Sequence, residues 1–229
     1  MRAVSSGDRD KVESLLRDGA DLNPSPSVFK TTPLIVACGT KGSYKIACLL
    51  LEEGADPNLG NDEGWTPLMG AAKSGHYRTV GVLLEGGAHP DIHTPKGWTA
   101  LMEAVDKGHG DIALRIIEAG ATPHIQHKVN KTNALLLATE HDKLDRVVHA
   151  LLDRMDSSSH LDLQNSEGDT ALLIAFKKNK VQLVKRLLSM GANPNISNKN
   201  GENPCYYCSG RRQKRNFGSL AKLCQTNSK

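Results

Sequence analysis

Two short amphipathic runs of helical period stand back to back between Thr66 and Gly87, parted by a single glycine. Thr66 offers a side-chain oxygen to cap a helix, and Pro67 sits where a missing N–H costs nothing, so the spacing predicts a helix beginning there. Leu68, Ala71 and Ala72 then share one face and are small enough for close packing. Gly75 ends that helix. His76 to Glu85 predicts a second one, with Val80, Leu83 and Leu84 turned inward and Gly86-Gly87 as its stop. The polar stretch from His89 to Gly97, with Asp91 and Pro95 in it, predicts a turn or hairpin leading to the next threonine.

The same line recurs along the chain. Thr32-Pro33-Leu34, Thr66-Pro67-Leu68, Thr99-Ala100-Leu101, Asn133-Ala134-Leu135, Thr170-Ala171-Leu172 and Asn203-Pro204-Cys205 place their third residues 34, 33, 34, 37 and 33 apart. A second marker runs in step with it: Gly19-Ala20-Asp21, Gly54-Ala55-Asp56, Gly87-Ala88-His89, Gly120-Ala121-Thr122 and Gly191-Ala192-Asn193. Two independent markers in register make this a repeat protein.

On these residues the chain resembles the ankyrin family, whose unit of about 33 residues is a turn followed by two helices with a Thr-Pro-Leu-His-x-Ala signature. The resemblance covers nearly the whole chain and implies an all-α solenoid of helix-turn-helix units joined by hairpin-like turns. It divides the sequence into a partial first unit (1–29), five full units (30–61, 62–94, 95–128, 129–165, 166–198) and a degenerate cap with a basic tail (199–229). The 129–165 unit carries an insertion around Ser157-Ser158-Ser159 and one extra residue near Lys128, both expected to bulge from loops. Aligning Gly7 with Gly75 leaves the first unit without its Thr-Pro-Leu opening, as in a shortened cap or a piece of a longer array. The family's histidine after Thr-Pro-Leu is replaced by Ile35, Met69, Met102, Leu136 and Leu173. In the family it ties neighbouring units by hydrogen bonds, so its loss implies cohesion by apolar packing.

Composition fits thin helical layers: 38% of the 229 residues are hydrophobic and only 4% aromatic, where one compact core would want more aromatic area. No apolar run approaches the roughly 18 residues of a membrane span. Met1 to Asp8 has no signal-peptide core. Five irregularly spaced cysteines do not resemble a disulfide framework. The expected setting is therefore intracellular and reducing, cytoplasmic before nuclear. The net charge of +4 is unevenly spread: from Ile196 onward seven basic residues face one acid, Glu202, so residues 1–195 are mildly acidic.

By resemblance, the concave face of such an array is lined by the residue before each Thr or Asn: Thr31, Trp65, Trp98, Thr132, Asp169 and Glu202. Both tryptophans of the chain fall at this position in adjacent units, which packed helices hold about 10 Å apart. Tryptophan is enriched at binding hot spots. A pair of rings bracing neighbouring hairpins is the other reading. Lys73, Asp106 and Lys107, at the ends of first helices, are expected to frame the tryptophans by charge together with Tyr77; a solvated helix face is the plainer alternative. The candidate contact set is thus Trp65, Trp98, Lys73, Tyr77, Asp106, Lys107, Thr132 and Asp169.

The remaining chemistry is expected to be structural. Cys205 and Cys208, with Cys224 beyond, lack the fourth ligand zinc wants, and no histidine lies past His160. In register they fall at the buried Leu68 and Ala71 positions, as Cys38 falls at Ala72 and Cys48 at Val82. Arg211-Arg212-Gln213-Lys214-Arg215 could be an import signal or a phosphate contact, but its place in the cap suits a solvated surface. His76 and His109 take one structural position after a glycine. No Gly-rich phosphate loop, His-Glu-x-x-His or Gly-x-Ser-x-Gly is present. No catalytic site, cofactor or metal is expected, and neither nucleic acid nor a membrane is the expected partner. The sequence reads as a non-catalytic, monomeric scaffold or adaptor that binds a protein or peptide. The alternative is the targeting part of a larger enzyme or ubiquitin-ligase-type adaptor.

Overall fold

A computed structural model of the chain describes residues 1–24, 31–40, 44–155 and 158–204. Within them lie thirteen α-helices and no strand, with one isolated antiparallel bridge between His93 and Thr99. The chain divides into two compact units, Met1–Thr122 and Pro123–Lys229.

In the first unit the helices come in pairs: α1 (Arg2–Ser5) with α2 (Arg9–Arg17), α3 (Pro33–Gly39) with α4 (Tyr44–Glu52), α5 (Pro67–Lys73) with α6 (Tyr77–Glu85), and α7 (Ala100–Asp106) with α8 (Gly110–Glu118). The first helices α1, α3, α5 and α7 pack side by side in one layer, and the second helices α2, α4, α6 and α8 in another. In the second unit α9 (Ala134–Glu140) pairs with α10 (Asp145–Asp153), and α12 (Ala171–Lys177) with α13 (Val181–Ser189). Helix α9 packs on α12, and a short α11 (Ser158–Leu161) lies between the pairs.

Each first helix from α3 onward starts for the same local reason. The side-chain oxygens of Thr32, Thr66, Thr99, Asn133 and Thr170 accept from the N–H three residues on, at 2.9–3.3 Å. All five caps are buried, so water cannot replace them. Thr99→Ala should therefore cost about 1 kcal/mol, read from urea unfolding; an unchanged midpoint would mean that the Met102 N–H finds another acceptor. The stop after α5 and α7 is a left-handed glycine, Gly75 (φ 75) and Gly108 (φ 73), whereas after α12 Asn179 adopts the same conformation (φ 57).

The residues that replace the family histidine are buried: Met69, Met102, Leu136 and Leu173 are at most 1% exposed and Ile35 is 8% exposed. Val80 and Leu83 are fully buried, but Leu84 is only half-buried. One residue turns the helix by about 100°, which moves Leu84 to the edge of the apolar stripe. Cys38 is buried, which pushes its thiol pKa up, and Cys48 is half-buried.

Two recurring sets of hydrogen bonds join neighbouring pairs. At the head of the second helices, His76 Nδ1 donates to the Cys38 carbonyl (2.9 Å) and His109 Nε2 to that of Lys73 (3.2 Å). Lys180 Nζ does the same to His141 in the second unit (2.6 Å). Each satisfies a carbonyl at the end of the preceding first helix. After the second helices, Asn23 donates to the Gly54 carbonyl and accepts from the Asp56 N–H. Asn58 repeats this with Gly87 and His89. At the next step Asp91 accepts from both the N–H and the hydroxyl of Thr122.

Candidate functional site

The tryptophans stand on hairpin tips that are fixed from within. Asn61 Oδ1 accepts from the N–H groups of Glu63 (3.0 Å) and Trp65 (2.8 Å), while the Asn61 N–H donates to the Trp65 carbonyl (3.0 Å). Thr94 takes the same place under Trp98, with Oγ1 accepting from the Trp98 N–H at 3.1 Å. Consecutive tips touch: a Cβ on Gly64, which has φ 73, would meet Pro95 Cδ at 2.9 Å. Only glycine permits both that conformation and that approach.

Both indoles are half-buried. Trp65 leans over α5, where its Nε1 lies 3.7 Å from the position a Cβ on Gly70 would take. The exposed Lys73 brings its ammonium to 5.1 Å from the Trp65 ring centroid, within cation–π range. One unit along, the residue equivalent to Gly70 is Glu103, a carboxylate only 7% exposed. Its carboxylate takes a side-chain hydrogen bond from the Trp98 indole. Burial raises its pKa, and the Trp98 indole, Lys73 and Lys107 oppose the rise while Asp106 adds to it. Lys107 is itself paired with Asp106 at 2.7 Å. Lys73, Trp98, Asp106 and Lys107 therefore act on one buried acid, and Lys73 links it to the Trp65 ring.

Glu103 was not among the expected site residues, although a signal was available. Four residues after the caps stand Val36, Gly70, Glu103, Leu137 and Ile174, and only one of these is charged. A carboxyl whose pKa is raised on folding destabilises the folded state when ionised. The penalty is complete above the folded-state pKa and absent below the ordinary value of 4.5. Glu103→Gln should thus raise the thermal midpoint at pH 7, and the gain should vanish as pH falls below about 4. A midpoint unchanged at pH 7 would mean that the acid is fully compensated.

Three expected contact residues do not join this cluster. Tyr77 is 48% exposed but lies on the second-helix layer, where Arg115 of α8 crosses its ring at 5.0 Å. The same guanidinium fills the space beside Gly81 and donates to Glu85 at 2.9 Å. In the second unit Arg186 repeats the gesture towards His149 and Asp153. Thr132 is buried at 6% exposure, its N–H held by Asn130 at 3.2 Å, so it presents little to a partner. Asp169 is committed: Lys177 Nζ reaches both of its carboxylate oxygens at 2.8 Å and Glu202 at 3.2 Å, and Asn198 Nδ2 donates to both acids. Charge neutralisation closes that position where indole leaves it open in the first unit.

Cys205, Cys208, Cys224, the basic run 211–215 and Ser157 of the insertion lie outside the described residues. Among the described residues no three His, Cys, Asp or Glu side chains come together in a metal-binding arrangement. None of the described helices is long and apolar enough to cross a membrane.

In each unit, helix pairs stacked in register and joined by hairpin tips define a helical repeat protein. The family model for ankyrin repeats, three copies long, matches at residues 1–94, 40–128, 101–198 and 135–227, and the chain belongs to the ankyrin-repeat family. Its fold is the all-α ankyrin solenoid. No curated protein matches the chain in sequence.

Proposed function

We propose that the chain is a non-catalytic binding module that takes a protein or peptide on the tip-and-first-helix face of Met1–Thr122, with Trp65 and Trp98 as its main contacts. Ankyrin repeats are in general protein–protein interaction modules. The observation that carries the finer reading is the pair of half-buried indoles on rigid tips, flanked by the exposed Lys73, Asp106 and Lys107. Large aromatic area held in place before binding loses little conformational entropy on docking. Each tip is tied by its own Asn61 or Thr94 and wedged against its neighbour, so the tryptophan backbones are set in the unbound protein. A protein scaffold or adaptor role follows from this reading.

The test is selection from a random-peptide phage library panned on the intact chain. Selected peptides should bind Trp65→Ala and Trp98→Ala variants less well and Tyr77→Ala normally. Peptides indifferent to both tryptophans would place the contact elsewhere.

A further inference from the structure

Three consecutive tips of the Pro123–Lys229 unit line a groove of about 660 Å³. Gln126 and Gln164, at equivalent positions of two of those tips, stand along it. Gln126 Nε2 donates across its own hairpin to the Lys131 carbonyl (2.6 Å) and onward to the Gln164 carbonyl (3.2 Å). Gln164 Nε2 does the same with the carbonyls of Gly168 (2.6 Å) and Ser197 (3.2 Å). Carbonyls only accept, so each amide nitrogen is tied to the backbone and each Oε1 is turned away from it. Among the described residues neither oxygen has a donor, and neither is buried. In Met1–Thr122 the same positions hold Gly60 and His93, which have no amide to offer. Beside the amides stand one apolar residue and two cations. Val129 is 70% exposed on a fixed tip: Asn130 Oδ1 accepts from the Thr132 N–H (3.2 Å), and the Asn130 carbonyl from the Ser166 N–H (2.7 Å). Lys131 and Lys199 are exposed, and among the described residues neither is in an ion pair. Asp162, the acid in the lining, is half-buried and accepts from the Asn193 N–H at 2.8 Å. Outside the groove the exposed Lys128 and Glu167 offset each other.

We infer that this groove binds an acidic, proline-containing peptide in the polyproline II conformation. Gln126 Oε1 and Gln164 Oε1 accept from its main-chain N–H groups, and Lys131 and Lys199 pair with its carboxylates. No residue of the tryptophan face takes part. The conformation follows from spacing. Packed helical repeats stand about 8–10 Å apart. In polyproline II every third N–H faces the same side, about 9.3 Å on, whereas in a β-strand every second one does, about 6.7 Å on. Only the first matches two acceptors one repeat apart. Polyproline II also makes no internal hydrogen bonds, so its N–H groups are free to donate. A proline ring gives the exposed Val129 an apolar partner, and carboxylates meet the two unpaired ammonium groups.

Fluorescence polarisation of a fluorescein-labelled peptide of four Glu-Glu-Pro repeats tests this on the intact chain. Saturable binding is expected, with a Lys-Lys-Pro counterpart inert. N-methylation of every glutamate keeps the charges and removes the N–H donors, and should weaken binding about fivefold or more. Lys131→Glu and Lys199→Glu should each weaken it by about the same factor. Lys96→Glu makes the same charge change on an exposed tip of Met1–Thr122 and should leave binding unchanged. Gln164→Met removes one acceptor and should also weaken binding. Because that change removes a brace as well, circular dichroism checks its fold, and the N-methylated peptide reads the same bond on the unaltered protein. No saturable binding, equal affinity for the N-methylated peptide, or equal losses in Lys131→Glu and Lys96→Glu would each overturn the proposal.

Discussion

Phe176→Ala should lower the folding stability of the Pro123–Lys229 unit by about 3–5 kcal/mol, the usual cost of deleting a buried aromatic ring. Phe176 is fully buried on α12, and helices α9 and α13 pack against that helix. In the same register the other first helices carry Cys38, Ala72, Val105 and Thr139, so the ring fills a space that smaller residues suffice for elsewhere. Alanine leaves a cavity that the flanking helices cannot close without losing their own contacts. Because stability in repeat arrays is shared between neighbours, the loss should extend to α9 as well as α12. Leu83→Ala, also fully buried, should cost about 2–5 kcal/mol in Met1–Thr122. The exposed Lys73→Ala is the control and should stay within about 0.5 kcal/mol. Urea titrations followed by circular dichroism measure all three, and equal shifts from Phe176 and Lys73 would contradict the assignment of inner and outer faces.

The second large effect is on binding. Trp65→Ala and Trp98→Ala should each weaken affinity for a selected peptide by about 2 kcal/mol or more, the size expected of a central aromatic contact. The helices should persist, since Leu68, Ala71, Leu101 and Ala104 beneath them are untouched and fully buried. The two changes are not equivalent. Trp65 removal empties the space over Gly70 and frees Lys73, while Trp98 removal takes away an indole that stabilises the Glu103 carboxylate. Trp98→Ala should therefore also lower stability at neutral pH, and affinity must be compared at equal folded fraction. If both variants lose stability yet bind unchanged once folded, the rings are braces and the peptide lies elsewhere.

What could be read from the sequence was whatever local chemistry decides. A threonine or asparagine before an apolar run can cap a helix from its own side chain, and five of the six marked first-helix starts follow from that. The apolar register of Met69 and Leu173 was legible for the same reason: one helix determines which of its own residues face inward. Properties that need two units at once were not. Tyr77 was grouped with the tryptophans because nothing in its own helix reveals that Arg115, 38 positions on, crosses it. Asp169 is held by Asn198 and shares Lys177 with Glu202, both on the following tip, which its own repeat does not reveal. Glu103 is marked in the sequence only as the one charged residue four positions after a cap, which does not reveal its burial. The division after Thr122 left no mark in the repeat spacing.

The polar ladder behind the second helices bears on how such a chain can change length. Asn23 and Asn58 bind their successors through main-chain atoms alone, a carbonyl and an N–H that every repeat presents at that point. A rung of this kind does not depend on which repeat comes next. Deleting or duplicating a whole repeat at those junctions brings the same asparagine opposite the same backbone, and the joint re-forms without any compensating substitution. The step from Asp91 to Thr122 is different, because it also uses the threonine hydroxyl, which ties that repeat to one particular successor. Unequal recombination would therefore be tolerated at the first two rungs and penalised at the third. The end of the Met1–Thr122 unit is accordingly its least exchangeable joint.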